Sequence, residues 1–444
     1  MKSILILGAG RSSTALIDYI LKEAQNSDWN LTVGDATLTT AQAVVKDHPR
    51  GKAITFNLQH EIGASIIKDY DLVISMLPSS LNPFVARKCL QLKKHLFTAS
   101  YVSDEMNSFD DEAHNNGLLF LNECGLDPGL DHMSAMKMID KIKSMDGQLY
   151  SFESFAGGLI SPETAPDNPW RYKFTWNPIN VVLAGFGTAK YLQNGKLKYI
   201  PYHQLFQRLT TVHVPNFVDF EGYVNRDSLK YKTIYRLHNI KTIIRGTLRQ
   251  KGFCAAWNIF VQLGCTDNSF KMQNVASMTH SDFIASFLET HSGMSTENIM
   301  CNQFNLQPDG PELARLKWLG LFTDELVGLK EGTPAEILEH ILKKRWTLSP
   351  EDNDLVVMWH RFKYLLNGQE NQTELSLALL GTSSTNTAMA KLVGLPLAIA
   401  TKLFLNNRIE SRGVVIPTLP EFYTPILREL EELGIRLEET NHTP

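Results

Sequence analysis

The chain opens on a continuous apolar run, Ile4-Leu5-Ile6-Leu7, the pattern of a parallel strand buried on both faces. Polar turn residues follow, and apolar positions then recur at helical spacing through Ala15, Leu16, Ile17, Tyr19, Ile20 and Leu21. The rhythm repeats. Short apolar strands are expected at 31–33, 53–56, 71–77, 95–99 and 118–121, with helices over 83–92 and 133–142. Strand and helix in alternation predict a doubly wound parallel sheet with right-handed crossovers.

Beyond residue 142 the pattern changes. Strand-like stretches at 149–156, 210–214, 241–248 and 355–362 come without helices alternating between them, which suits an antiparallel or mixed sheet. Residues 268–352 turn helical, with apolar positions at helical spacing over 283–290, 312–321 and 334–345. A strand at 375–380 and amphipathic helices at 385–405 and 421–433 close the chain. Residues 161–178, rich in Pro, Asn and Asp around Arg171, Tyr172 and Lys173, read as a long ordered loop.

Two motifs carry candidate chemistry in the first third. Gly8-Ala9-Gly10-Arg11-Ser12-Ser13 sits between the first strand and the first helix, a G-x-G-x-x-S turn. Gly8 permits the tight turn, Gly10 lets backbone approach a pyrophosphate at the helix N-terminus, and Ser13 stands where Gly or Ala is usual. Asp35 follows the second strand, 25 residues after Gly10 and near the spacing of about 20 for the acid that binds the adenosine ribose hydroxyls. A carboxylate there repels a 2′-phosphate, so NAD is favoured and NADP is the alternative. Leu77 closes the strand at 71–77, where an apolar turn lies beside such a cofactor. The expected cofactor-binding set is Gly8, Gly10, Arg11, Ser12, Ser13, Asp35, Leu77, Ser100 and Asp127.

The second motif is 121–133, where Glu123, Asp127, Asp131 and His132 crowd around Gly125, Pro128 and Gly129. A turn so dense in acids just past a strand end is where an open α/β sheet places its ligand. The alternative is a helix N-cap, with Asp127 or Asp131 accepting first-turn N–H groups and His132 on the surface. Tyr101 and Asp127, both just past strand ends, are the expected proton handlers, with His132 in reserve. Farther on, Arg226 lies in a turn and Arg245 and Arg249 in a strand end; Arg grips a carboxylate with two parallel hydrogen bonds. A surface ion pair is the alternative for each. The chemistry these residues allow is hydride transfer to a carboxylate-bearing substrate; for an amine, hydride loss beside nitrogen would give an imine that water then attacks.

Length and composition narrow the field. The 444 residues suffice for two or three domains, and 43% hydrophobic with 20% charged content is ordinary for a globular chain. A net charge of −4 without blocks of like charge argues against nucleic acid as a partner. The five cysteines, at 89, 124, 254, 265 and 301, form no CxxC pair and suit a reducing compartment. No leader precedes the first strand and no apolar run reads as long enough to cross a membrane, so a cytoplasmic setting without membrane contact is expected. His48, His60, His95, His213 and His238 are isolated, and no metal-ligand spacing is visible.

Taken together the motifs resemble the saccharopine dehydrogenase family, in its NAD(P)-dependent, L-glutamate-forming branch. The segments that carry the likeness are Gly8-Ala-Gly10, Asp71-Leu-Val-Ile-Ser75, Thr98-Ala-Ser-Tyr-Val102 and Asn122-Glu-Cys-Gly-Leu-Asp-Pro-Gly-Leu-Asp-His132. Others are Gly157-Gly-Leu159, the stretch 168–178, Gly222-Tyr-Val-Asn-Arg-Asp-Ser228, Arg245-Gly-Thr-Leu-Arg249 and Lys391-Leu-Val-Gly-Leu-Pro396. The likeness runs in order along nearly the whole chain. It implies an α/β Rossmann sheet over 1–125, with 385–444 packing back on it. It further implies an α+β substrate domain over 126–267 and 353–384, and a helical insert over 268–352. It implies conversion of saccharopine, NAD(P)+ and water to L-glutamate, 2-aminoadipate 6-semialdehyde and NAD(P)H in lysine metabolism. Substrate would be held by Ser100 and Tyr101, by Arg226, and by Thr247, Leu248 and Arg249, with Asp127 between substrate and cofactor. The expected partners are that small molecule and a second copy of the chain.

Two positions depart from the family pattern. Ala156 stands where Cys is common, and Gln250 where Tyr often follows Thr-Leu-Arg. Without that Cys, Tyr101 and Asp127 must suffice. The competing expectations are a secondary-amine-forming reductase of the carboxynorspermidine type and a non-catalytic dinucleotide sensor.

Overall fold

A computed structural model describes residues 1–57, 65–215, 217–289 and 292–442. His60 and the end of the helix expected over 283–290 lie outside them. The chain divides into two compact units, Met1–Gly147 with Thr385–Leu437, and Gln148–Ser384 with Glu438–Pro444.

The first unit is built on a parallel sheet of seven strands. Their order is Gly413–Val415, Leu119–Leu121, His95–Thr98, Leu72–Ser75, Lys2–Leu7, Trp29–Asp35 and Gly51–Thr55. Ile4, Leu5, Ile6 and Leu7 are wholly buried, as an apolar run without alternation requires. Strand order reverses between Lys2–Leu7 and Leu72–Ser75, and such a switch point is where an open α/β sheet binds its ligand.

The strand Gly413–Val415 and two helices come from the C-terminal chain. Ala388–Leu405 packs on the first helix, Thr14–Asn26. Pro420–Glu432 packs on Leu130–Ser144, where Tyr423 Oη donates to Asp140 Oδ2 at 2.7 Å. The helix 130–144 lies in the first unit, beyond the boundary expected at 125/126. Ala388–Leu405 corrects a second expectation, because it is long and apolar enough to cross a membrane by length and composition alone. Its burial, 72% inside the unit, identifies it as a core helix.

The second unit carries a mixed sheet of nine strands, in which Thr242–Gln250 runs parallel to Gln148–Ile160 and the other pairings are antiparallel. Two hairpins turn on Asn-Gly pairs, Asn194-Gly195 (φ 50° and 76°) and Asn367-Gly368 (φ 51° and 80°). Positive φ at both turn residues is the geometry that twists the flanking strands correctly. The first hairpin, Ala189–Gln193 with Lys196–Ile200, was not among the expected strands. The last strand, Glu438–His442, pairs with Gln369–Leu380 in register Gln372↔His442 to Ser376↔Glu438. The C-terminal helices thus lie in the first unit, while the final strand belongs to the sheet of the second.

The helix Phe253–Leu263 was also missed, because eight of its eleven residues are buried and only Ala255, Asn258 and Gln262 mark its outer face. It packs into one core with sheet residues Phe155 and Trp359 and with Val275, Phe283, Leu338 and Trp346 of the helical stretch. Trp346 is the hub: ring centroids of Tyr172, Trp170, Phe174, Trp257 and Phe253 lie 5.0, 5.3, 5.3, 5.9 and 6.1 Å from its own. Trp346→Ala is expected to cost about 3–5 kcal/mol of the second unit's stability, read as a lower denaturant midpoint by circular dichroism. An unchanged midpoint would show that the aromatic cluster is not what holds this unit together.

Candidate active site

The glycine turn is set by the strand before it. Gly8 N–H donates to Gly34 O at 2.8 Å, and Gly8 takes φ 101°. A Cβ there would stand 3.0 Å from Met76 O, so Gly8 also lets the segment leading to Leu77 lie against the turn. A Cβ on Gly10 would meet nothing within 4 Å. The turn is closed on the Gly8 side and open over Gly10, as a cradle for a pyrophosphate requires. Ser13, buried, donates through Oγ to Gly10 O at 2.7 Å, which ties its hydroxyl to the turn. Arg11 is exposed and Ser12 half-buried at the start of the following helix. Asp35 Oδ2 accepts Ala9 N–H at 2.9 Å and Oδ1 accepts Thr37 N–H at 3.0 Å, which brings the carboxylate to the turn.

At the ends of the next strands lie Tyr101 and Asp127. Tyr101 Oη donates to Asp127 Oδ1 at 2.6 Å, so the structure brings both expected proton handlers together. Ser100 N–H donates to Thr98 Oγ1 at 3.2 Å and Ser100 O accepts Glu123 N–H at 3.0 Å. The acid-rich turn divides its work. Asp131 Oδ1 accepts the N–H of Gly129 at 2.6 Å, just before helix Leu130–Ser144, while Asp127 faces Tyr101. His132 is fully buried, its Nε2 hydrogen-bonded to Glu123 Oε2 at 2.7 Å; neither the surface position nor the reserve proton-handling role expected of it fits that burial.

In the second unit, strand Thr242–Gln250 presents Thr247, Leu248 and Arg249. Asn225 Nδ2 donates to Thr247 Oγ1 at 2.7 Å, joining that strand to the turn that carries exposed Arg226 (φ 49°). Ala156 lies directly across from Thr247 in the parallel pairing, and Gln250 is buried. Leu248 is buried and its carbonyl accepts Arg249 Nη1–H at 3.0 Å.

Arg249 is the unusual residue. It is 4% exposed, with its guanidinium carbon 5.1, 5.2 and 5.8 Å from the ring centroids of Tyr172, Phe253 and Tyr223. No carboxylate of the described residues pairs with it, and its Nε has no hydrogen-bond partner. Tyr172 Oη and Tyr223 Oη make no hydrogen bond of acceptable geometry either, although Trp176 and Thr247 approach them. Burial pushes the Tyr172 phenol up to about 12 against the pull of Arg249, and raises Tyr223 likewise, so both remain O–H donors at neutral pH. A buried cation ringed by unused donors is costly unless an anion joins it. Tyr172 and Tyr223 were not singled out as site residues. An aromatic inside an apolar stretch reads as core, and only the strand register sets them beside Arg249.

The whole chain is similar to known proteins of one family. Residues 125–435 match the family model described as the saccharopine dehydrogenase C-terminal domain, and residues 4–121 that described as its NADP binding domain. The chain belongs to the saccharopine dehydrogenase family. Among relatives of this family, the saccharopine dehydrogenase [NADP(+), L-glutamate-forming] of Schizosaccharomyces pombe is 31% identical, the match covering 99% of each chain. The mitochondrial alpha-aminoadipic semialdehyde synthase of Rattus norvegicus is 34% identical over 98% of this chain. The chain spans about half of that relative, 47% of its length. The solved apo saccharopine dehydrogenase (L-Glu forming) of Saccharomyces cerevisiae superposes with a TM-score of 0.88 at 31% identity, covering all of both chains. The first unit of this family member thus takes a nicotinamide dinucleotide, and the glycine turn fits one. Among the described residues no cluster of His, Cys, Asp and Glu could hold a metal.

If Arg249 waits for an anion and is not a structural cation, replacing it by an apolar side chain of similar length should not destabilise the fold. Arg249→Met is expected to leave the thermal midpoint unchanged or slightly raised. A clear fall in calorimetry would make the guanidinium part of the core's support.

Proposed function

We propose that this protein oxidises saccharopine, with water and a nicotinamide dinucleotide, to L-glutamate and 2-aminoadipate 6-semialdehyde. The observation that carries the reading is the 2.6 Å hydrogen bond between Tyr101 and Asp127 in the unit that bears the glycine turn. The dinucleotide supplies the hydride acceptor. Loss of hydride from the carbon beside nitrogen leaves an imine, and water adds to that carbon and splits it into aldehyde and amine. Each stage moves a proton on nitrogen or on water. Tyr101 Oη, its own proton shared with Asp127, is the group proposed to take and return it. Arg249 and Arg226 are proposed as carboxylate clamps for a substrate with three such groups, supported by the uncompensated burial of Arg249. Thr247, Leu248 and Ser100 complete the proposed substrate contacts.

For the cofactor we propose NAD in preference to NADP. Support comes from Asp35, whose carboxylate sits against the Ala9 N–H of the glycine turn, where a 2′-phosphate would meet like charge. The Schizosaccharomyces pombe relative is named for NADP(+), so the choice rests on this residue.

The test is spectrophotometric, following reduced cofactor with saccharopine and each dinucleotide in parallel. Turnover with saccharopine is expected, faster with NAD+ than with NADP+; no turnover with either ends the assignment. Asp35→Ser should shift kcat/KM toward NADP+ by about tenfold or more, the ratio equivalent to losing about 1.4 kcal/mol of discrimination. An unmoved ratio would remove Asp35 as the selector. Tyr101→Phe should lower kcat by about 100-fold to 10,000-fold; a normal kcat would exclude it as the proton handler.

A further inference from the structure

Glu123, a member of the acid-rich turn with no part in the chemistry above, is 2% exposed. Its contacts explain why it is there. Glu123 N–H donates to Ser100 O at 3.0 Å, and Glu123 Oε1 accepts Val102 N–H at 2.9 Å. One residue therefore grips the chain immediately before and immediately after Tyr101. To do so Glu123 adopts φ 53°, the left-handed region that a β-carbon disfavours, so the backbone is bent to serve both bonds. Its other oxygen, Oε2, is bonded at 2.7 Å to His132 Nε2, and His132 stands on helix Leu130–Ser144.

That helix also anchors the turn carrying Asp127. Leu130 N–H donates to Gly125 O at 2.8 Å, Asp131 N–H to Leu126 O at 3.0 Å, and Asp131 Oδ1 accepts Gly129 N–H at 2.6 Å. Tyr101 and Asp127 thus ride on two separate segments, and Glu123–His132 is a buried strut between them. A strut matters here because proton transfer across a hydrogen bond of 2.6 Å falls steeply with small displacements.

Resting on the Tyr101–Asp127 reading of the site, we propose that Glu123 and His132 are positioning residues that hold the Tyr101 phenol against the Asp127 carboxylate. Neither needs to touch substrate or cofactor. The pair stiffens the loop on one side and the turn on the other, so its removal loosens their spacing while the dinucleotide cradle at Gly8–Ser13 stays as it is.

The experiment combines kinetics with a signal that does not require turnover. Glu123→Ala is expected to lower kcat by about 100-fold, with KM for the dinucleotide unchanged. Glu123→Gln, whose amide oxygen can still accept Val102 N–H and whose amide nitrogen can reach His132, should retain most of the activity. In a Tyr101→Phe background Glu123→Ala should cost little more, since the group it positions is already gone. Should Glu123→Ala not fold, His132→Phe breaks the same strut and is expected to lower kcat by about tenfold, again without effect in the Tyr101→Phe background.

Protein carrying 13C at the tyrosine Cζ gives a Tyr101 resonance, assigned by its loss in Tyr101→Phe. Asp127→Asn should shift it, and Glu123→Ala or His132→Phe should shift it the same way. Equal losses with and without Tyr101, a Gln variant as poor as the Ala variant, or an unmoved resonance would each overturn the strut. If the wild type turns over no saccharopine, the reaction assignment fails, while the resonance still decides the strut.

Discussion

A parallel sheet buried on both faces leaves one place for chemistry, the carboxyl edge of its strands. That constraint organises the first unit. Ile4 to Leu7, Leu72 to Ile74 and Leu119 to Leu121 have no exposed surface, so no residue within them can meet a ligand. What the strands do is deliver their successors to the same edge. Counted along the chain, the first (Lys2–Leu7) ends in the glycine turn, the second (Trp29–Asp35) in Asp35, the fourth (Leu72–Ser75) leads to Leu77, the fifth (His95–Thr98) to Ser100 and Tyr101, and the sixth (Leu119–Leu121) to the segment 122–132. The order of strands puts the first beside the fourth and the fourth beside the fifth, so residues distant in sequence become neighbours. The expense is that polar backbone just past each strand end must be satisfied locally. Side chains do it: Asp35 for Ala9, Thr98 for Ser100, Glu123 for Val102 and Asp131 for Gly129. Three of these four are acids, which explains the acid density at the turns without making every acid a catalyst.

The second unit solves a different problem. Its sheet is mixed, and its core is one continuous aromatic-rich cluster that the helices around 280–346 share with the strands. Into that apolar setting it admits Arg249, between Tyr172, Tyr223 and Phe253. Cation–π attraction offsets part of the desolvation but supplies no acceptor for the guanidinium hydrogens. The remaining deficit is what a carboxylate would relieve. Glu221, directly across the strand pair from Arg249, instead spends its oxygens on Gly252 N–H at 2.7 Å and Cys254 N–H at 3.2 Å. The nearest acid in register is therefore engaged elsewhere.

The two arginines expected to bind substrate differ in kind. Arg226 is exposed on a turn, with the left-handed backbone that such turns favour, and Arg249 is interior. The acids of the dense turn differ likewise: Asp131 bonds the Gly129 N–H, Asp127 bonds a phenol and Glu123 bridges two segments. Residue type and spacing had placed all of them in one group.

What the sequence alone determined was whatever short-range pattern can fix. The buried run at Ile4–Leu7, the glycine turn, the acid after the second strand and the break in rhythm near residue 142 were all legible, because burial on two faces, tight turns and helical periodicity leave marks within a few residues. The Asn-Gly hairpin turns at Asn194-Gly195 and Asn367-Gly368 were legible too, and both were passed over. Tertiary structure alone decided the rest: that Tyr101 meets Asp127, that Glu123 grips both sides of Tyr101, that Tyr172 and Tyr223 flank Arg249, and that the last strand leaves the first unit's sheet for another. Each of these is a pairing between segments whose spacing along the chain carries no period. Such pairings follow from which buried donors and acceptors must be satisfied once the strands have found their order, and that order is a property of the whole fold.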